Sequence, residues 1–497
     1  MIALALLALG VWSPPHVTPA NAALADVLAR MQAAQALPPA YGQRHEQWTY
    51  QNGTTTIPVS VAVRGAEFRA DVPLAGAVYE GGVLGGVPWR ADGNGVAHAT
   101  LDDEQGDPVD RLPRALLPFD PADCTLAGEA RVPARAWVIA VRPPNDRAHW
   151  LFVDEASGRI VREQTREGRR VVTIEYDDFA PLDAVVRPRH WRVTSGDRAD
   201  DVDVRVDAIT PGPVADAELA MPRPRLFTAP AGAPGRVPLP VGSTDLPYHL
   251  PIDVVVDGRP ARFLLDTGTQ SLMLSSEFAR RLGLHATLGH AIVKNFAVSS
   301  YALADASVMV LPLGSLAGIV GYDFFVGHVL HVDELHDVVE LTTPEAAASV
   351  FVDPLERVVP ASYDEGFPVT TALLDGVGAS RFVLDTGSPD IEVSTAFLRE
   401  DPTALNRWTR VAFPTTSKAT AELHFLEGTV RIEAYRIARV QLGPVMFTDT
   451  IAGVQVDDPD PDAIELPYDG IIGNTMLRFL DLWFDYDGGR LAMRAQR

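Results

Sequence analysis

Two short stretches hold the residues best suited to chemistry: Arg262-Phe263-Leu264-Leu265-Asp266-Thr267-Gly268-Thr269 and Arg381-Phe382-Val383-Leu384-Asp385-Thr386-Gly387-Ser388. In each, an apolar run delivers a carboxylic acid to a glycine. The apolar residues bury a strand, and the glycine lets the backbone turn sharply straight after the acid. One acid buried alone is a liability, because its charge loses hydration. Two acids facing each other behave differently: carboxyls about 3 Å apart cannot both ionise, so the pair keeps one proton over a wide pH range. The ionised member takes a proton from a shared water while the protonated member donates to a carbonyl oxygen. An amide is hydrolysed that way with no covalent intermediate, metal ion or cofactor. The pair titrates as a unit, so an acidic to mildly acidic optimum is expected.

The two acids need elements that bring them together, and the sequence supplies a duplication. The motifs repeat at an offset of 119, which persists from Ser275 to Ser394 and from Phe278 to Phe397. Each copy follows a strand-turn signal, Val254-Val255-Val256-Asp257-Gly258 and Ala372-Leu373-Leu374-Asp375-Gly376. A second echo, Gly318-Ile319-Val320-Gly321 against Gly470-Ile471-Ile472-Gly473, follows at an offset of 152, as does Val332-Asp333 against Phe484-Asp485. The second copy therefore carries about 33 additional residues between its two motifs. Asp333 and Asp485 read as strand-end or turn acids.

These paired motifs, each an apolar strand into Asp-Thr-Gly and each followed by an apolar-apolar-Gly element, resemble the pepsin-like and retropepsin-like aspartic peptidases. The resemblance covers residues 245 to 497 and is nearest to the bacterial retropepsin-like domains, through Gly318 to Phe325. It implies that Asp266 and Asp385 activate water. Thr267 and Thr386 would brace the two loops, Thr269 and Ser388 would hydrogen-bond the carboxylates, and Gly268 and Gly387 would complete the loops. Both halves lie in one chain, so an intramolecular site and a monomer are implied. Gln270 and Pro389 depart from the family, which usually has a small residue there. Tyr301 is a candidate flap aromatic or, more simply, a core strand residue. The fold expected is mainly β: a C-terminal pair of retropepsin-like β-barrel lobes, the bilobal acid-protease fold, plus an N-terminal antiparallel β-sheet domain.

The rest of the chain frames this unit. Its 497 residues exceed one ordinary core, and its net charge of -23 repels phosphate backbones, so nucleic acid is not an expected partner. The single cysteine, Cys124, excludes intrachain disulfides and cysteine-cluster metal sites and reads as a small buried hydrophobe. Ile2 to Trp12 is apolar, and Ala20-Asn21-Ala22-Ala23 offers an Ala-x-Ala cleavage site, so residues 1–23 read as a secretory signal although no Lys or Arg precedes the run. The run is too short to span a bilayer, which implies a periplasmic or secreted protein with no stable membrane insertion. Residues 24–215 are expected to form an antiparallel sheet domain. It opens on a helical pattern from Leu24 to Ala36, with Leu28 and Met31 on one face. The sheet signals include an Asn52-Gly53 hairpin of type I′ and the runs Ala136–Val141, Trp150–Asp154 and Arg170–Tyr176. Trp150 to Arg162, Tyr176-Asp177-Asp178-Phe179 and Arg187-Pro188 resemble the periplasmic outer-membrane lipoprotein-carrier family, which implies a substrate-binding or regulatory module. Six prolines between Pro222 and Pro240 mark a linker at 216–244. Lobes at 245–345 and 346–497 follow.

Other features have plainer readings. His328, His331 and His336 with Asp333 can be drawn as a metal cluster, but strand alternation separates them, and no metal site or cofactor is expected. Gly81-Gly82 and Gly85-Gly86 are turns or bulges, because Pro88 and Trp89 follow where a phosphate cradle needs a helix. The acidic run Asp457 to Asp462 is a solvated loop. The expected partner is a peptide or protein substrate. The competing reading is a catalytically inactive periplasmic peptide- or lipoprotein-binding carrier. It predicts two acids standing apart, whereas an enzyme needs them within hydrogen-bond reach.

Overall fold

A computed structural model describes residues 17–35, 39–100, 120–132, 134–142, 149–167, 170–182, 185–195, 201–240, 248–352, 358–413, 418–425, 428–456 and 468–495. The apolar part of the expected signal segment before residue 17 and the acidic run 457–462 lie outside these. No helix among the described residues is long and apolar enough to cross a membrane. The fold is mainly β.

The chain forms two compact units. One gathers most residues up to Ala70 and from Gly106 to Ala220; the other gathers Met221–Arg497 together with two earlier stretches, Asp71–Gly81 and Trp89–Gln105. In the first unit nine strands pair antiparallel, in the order Thr55–Arg64, Gln43–Asn52, Val202–Pro211, Val185–Thr194, Arg170–Leu182, Ile160–Glu167, His149–Asp154, Ala134–Val141 and Cys124–Val132. Alternation sets its faces: Trp48 and Tyr50 are buried on one strand, Ile57, Val59, Val61 and Val63 on the next. The helix Leu24–Gln35 buries Val27, Leu28 and Met31 at its 3–4 residue spacing. Cys124 is buried. The first hairpin pairs Asn52 with Thr55, so its turn residues are Gly53 and Thr54, with Gly53 at φ 54°. Glycine at the first central position is the II′ arrangement, one residue on from the I′ turn that Asn-Gly suggests.

The second unit contains two barrels built to one plan. The first closes through six strands in the order Pro251–Val256, Arg259–Leu265, Gly318–Val320, Met273–Ser275, Tyr301–Leu311 and His290–Val298. The second closes in the same order through Val369–Leu374, Val377–Asp385, Gly470–Gly473, Ile391–Val393, Val445–Gln455 and Gly428–Leu442. In both, the strand before the acid runs parallel to the Gly-apolar-apolar element, Leu264 opposite Ile319 and Val383 opposite Ile471. The barrels fill with fully buried aromatics, Phe263, Phe296 and Phe324 in the first and Phe382 and Phe397 in the second.

A further sheet joins the barrels. Val329–Asp333 and Leu480–Asp485, equivalent strands of the two copies, pair antiparallel with Val329 opposite Asp485 and Asp333 opposite Asp481. The pairing is symmetric about His331 and Trp483, whose rings stack at 3.7 Å. Arg236–Pro238, from the proline-rich stretch, adds to the edge of this sheet against Val338–Thr342, a position where proline costs no ladder bond. Tyr301 lies in the core of the first barrel, edge-on to Phe324 and His328, so it is a packing residue and not a flap aromatic.

Candidate active site

Asp266 follows directly on the strand Arg259–Leu265, and Asp385 ends the strand Val377–Asp385. Each strand buries its apolar residues and then turns through Thr-Gly, so the acids emerge where the two barrels meet. The threonines lock that meeting. Thr267 Oγ1 donates to Leu384 O at 2.7 Å and accepts from Thr386 N at 3.0 Å. Thr386 Oγ1 donates to Leu265 O at 2.9 Å and accepts from Thr267 N at 3.1 Å. Four crossed bonds in a fully buried setting fix one loop against the other.

The carboxyls hydrogen-bond each other. Each lies over the glycine of the opposite loop. A Cβ on Gly268 would stand 2.4 Å from Asp385 Cγ, and one on Gly387 would stand 2.3 Å from Asp266 Cγ. No side chain larger than hydrogen leaves the acids where they are. Gly321 and Gly473 do the same one layer below, where a Cβ would meet Thr269 O at 2.4 Å and Asp390 O at 2.1 Å.

The two acids are held differently. Asp266 accepts from Gly268 N and from the Thr269 hydroxyl, both at 2.8 Å. Asp385 accepts from Gly387 N at 2.7 Å and Ser388 N at 3.1 Å. Ser388 thus reaches its carboxylate through the backbone, while its hydroxyl lies 3.4 Å from both Glu392 Oε1 and Asp390 O. Burial raises both acids. Asp385 is held well above the usual carboxylate range, by burial first and then by the adjacent Asp266 charge. Asp266 is raised by burial and drawn back by the hydrogen bond from Asp385 and by Thr269. One proton therefore belongs to the pair, which titrates as a unit, and the Thr269 hydroxyl on Asp266 makes the two sides chemically unequal.

Gln270 bridges outward, accepting from Arg90 Nη2 at 2.8 Å and donating to Glu365 O at 2.9 Å. A second acid pair, the buried Asp323 and the partly buried Asp92, stands behind the first loop. Asn94 Nδ2 donates to Asp323 Oδ2 at 3.1 Å and lies 3.3 Å from Asp92 Oδ2, and Asp323 Oδ2 accepts from Leu272 N at 3.0 Å. Asp92 and Asp323 are both raised, first by burial. They are more than 200 positions apart, so no local pattern announced them.

The first copy of the motifs has a family counterpart by sequence. Residues 252–324 match the aspartyl protease family model. The match spans the first barrel and both of its motifs. No match is found among curated proteins. Among solved structures, a retropepsin-like aspartic protease from Rickettsia conorii is similar at 19% identity, covering 22% of this chain and 90% of its own, with a TM-score of 0.17. A LolA superfamily protein from Nitrosomonas europaea is similar at 10% identity over 40% of this chain and 98% of its own, with a TM-score of 0.33. A putative outer membrane lipoprotein-sorting protein domain from Vibrio parahaemolyticus is similar at 9% identity over 39% of this chain and 94% of its own, with a TM-score of 0.31. The two-barrel description rests on the strand pairing itself.

The histidines drawn together from sequence separate in space. His331 Nδ1 meets Glu340 at 3.1 Å and its Nε2 meets Asp481 at 3.0 Å, while His336 caps back onto Asp333 at 2.8 Å. Ligand atoms of His331, Asp333 and Asp481 lie within 4.8 Å of one another. Both nitrogens of His331 are already bonded, and Arg494 answers Asp481 at 2.6 Å, so the cluster is an ion-pair network of the joining sheet. Asp485 accepts from Gly488 N at 2.9 Å and from Arg490, as a strand-end acid should.

Proposed function

We propose that the second unit is an aspartic endopeptidase in which Asp266 and Asp385 share one proton and activate one water. Supporting this, above all, is the direct contact between the two carboxyls, each raised by its surroundings and each set over the glycine of the opposite loop. In the proposed reaction Asp266 takes a proton from water as the oxygen attacks the scissile carbonyl, and Asp385 gives its proton to the carbonyl oxygen. The tetrahedral intermediate then collapses: the C–N bond breaks, the leaving nitrogen takes the proton held by Asp266, and a hydroxyl of the intermediate returns its proton to Asp385 as the carbonyl re-forms. Thr267, Thr386, Gly268 and Gly387 hold the geometry, and Thr269 keeps Asp266 anionic. No cofactor enters any step.

The substrate proposed is a peptide or protein. An intramolecular pairing of barrels makes a second copy of the chain unnecessary, and the acidic surface disfavours nucleic acid. The apolar run at Ile2–Trp12 supports export to the periplasm or beyond. The carrier reading requires the acids to stand apart, and their contact favours the enzyme.

The test is cleavage of an unbiased peptide mixture at acidic pH by the wild-type chain, Asp266→Asn and Asp385→Asn. Cleavage by the wild type alone is expected. Equal cleavage by all three would end the proposal.

A further inference from the structure

The two barrels present matching walls beside their acids, and the walls differ at one position. On a strand, residues two apart share a face, so Leu264 stands beside Asp266 and Val383 beside Asp385. Leu264 and Met273 are both in register with Ile319, which places all three on that face as one apolar cluster. In the second barrel, Val383 and residue 392 are both in register with Ile471, by the same pairing. Residue 392 lies 119 positions after Met273, but it is glutamate.

Glu392 is 3% exposed. Its Oε1 is 3.4 Å from the Ser388 hydroxyl, and its Oε2 has no hydrogen-bond partner. Asp390, also partly buried, adds a second acid two residues away, and no arginine or lysine pairs with either among the described residues. In register with Glu392 is Ile471 and, one strand on, Val383, which pack in one cluster with Phe367 and Tyr468. An unpaired carboxylate oxygen in such a wall is costly unless something brings it a donor.

We propose that Glu392 makes the second-barrel wall a subsite for a basic side chain, lysine or arginine, while the first-barrel wall of Leu264, Met273 and Ile319 takes an aliphatic one. This rests on the aspartic-peptidase reading. The methylene stem of a lysine or arginine packs on Val383, Ile471 and the aromatics, and its charged head meets Oε2. In the absence of such a cation, burial and then Asp390 push the Glu392 carboxyl up to about 8, with the Ser388 hydrogen bond opposing. A cation favours the ionised form, so the proton leaves on binding. The preference for basic side chains therefore strengthens as pH rises toward 8.

The test is to digest an unbiased peptide mixture with the full chain, sequence the products, and repeat with Glu392→Met and Glu392→Gln. The wild type should cut with lysine or arginine enriched on one side of the bond and aliphatic residues on the other. Glu392→Met, which copies the first barrel, should lower the basic-to-aliphatic ratio by about 10- to 100-fold, the range for losing a hydrogen bond to a charged group. Glu392→Gln should lower it and abolish its rise between pH 5 and 8. Wild-type cleavage with no enrichment of basic residues overturns the subsite and leaves the peptidase standing. Unchanged ratios in both variants do the same. No cleavage of any peptide by the wild type overturns the peptidase, and the subsite with it.

Discussion

Thr267→Val removes a hydroxyl while keeping the side chain's shape, which makes it a clean probe of the crossed threonines. The hydroxyl donates to Leu384 O and accepts from Thr386 N, and both backbone groups are buried. Valine leaves them unpaired. Each orphaned group costs roughly 1–3 kcal/mol, so the substitution should weaken the junction by about 2–6 kcal/mol. Even the lower figure, about 2 kcal/mol, is roughly a 30-fold rise in local opening. Hydrogen exchange read on peptides covering 259–270 and 377–390 measures that opening without requiring the two units to unfold together. Protection should fall at least that much in both peptides, although only one carries the change. Thr386→Val should do the same, through Leu265 O and Thr267 N. Thr267→Ser, which keeps the hydroxyl, should restore most of the protection. If Thr267→Val exchanges like the wild type, the crossed bonds do not hold the barrels together.

Three further outcomes are expected. Gly268→Ala should lower kcat by about 100-fold or more, because its Cβ displaces the Asp385 carboxyl and an ångström of misplacement is worth that much; Gly378→Ala, where the nearest atom is Leu373 Cδ2 at 3.4 Å, should leave kcat unchanged. Four acids, the buried Asp266 and Asp323 and the partly buried Asp92 and Asp385, have raised folded pKa values, so the folded chain holds protons that the unfolded chain releases above about pH 4. Stability, read as Tm, should therefore fall as pH rises from 4 to 8, and a Tm that rises across that window would contradict the burial of these acids. Asp92→Asn removes one such acid and keeps an acceptor for Asn94 N and Val96 N, so its Tm at pH 8 should exceed the wild type's and its decline with pH should be shallower.

The parts legible in the sequence are those written as repeats. The apolar run into Asp-Thr-Gly and the later Gly-apolar-apolar-Gly fix which strands run parallel, and the observed registers Leu264–Ile319 and Val383–Ile471 are what a duplication requires. The extra length of the second copy was visible only as a total. It is divided: the offset is already 144 at the strands beginning Tyr301 and Val445, so most of it precedes Gly428–Leu442 and the remainder follows Gln455. The Asn52-Gly53 turn was misplaced by one residue because the dipeptide marks a hairpin without fixing its register. The contact of Asp92 and Asn94 with Asp323 was illegible, since tertiary packing between distant segments leaves no periodicity to read. Glu392 was readable at offset 119 from Met273, but a lone acid in an apolar strand carries no motif. Only the equivalent wall in the other barrel shows that it is out of place.

The early stretches 71–81 and 89–100 pack with the later half of the chain. Tyr79 meets the Ser307 hydroxyl at 2.5 Å, and Asn94 fills a fully buried niche between Ser307 and Asp323. The proline-rich segment is thus a misleading place to cut. A fragment beginning at Met221 would lose the amide that satisfies Asp323 and expose the strand that carries Ser307. Dissection of this protein by limited proteolysis or by recombinant truncation must keep those two threads, and a gene that shed its first half would have to replace them.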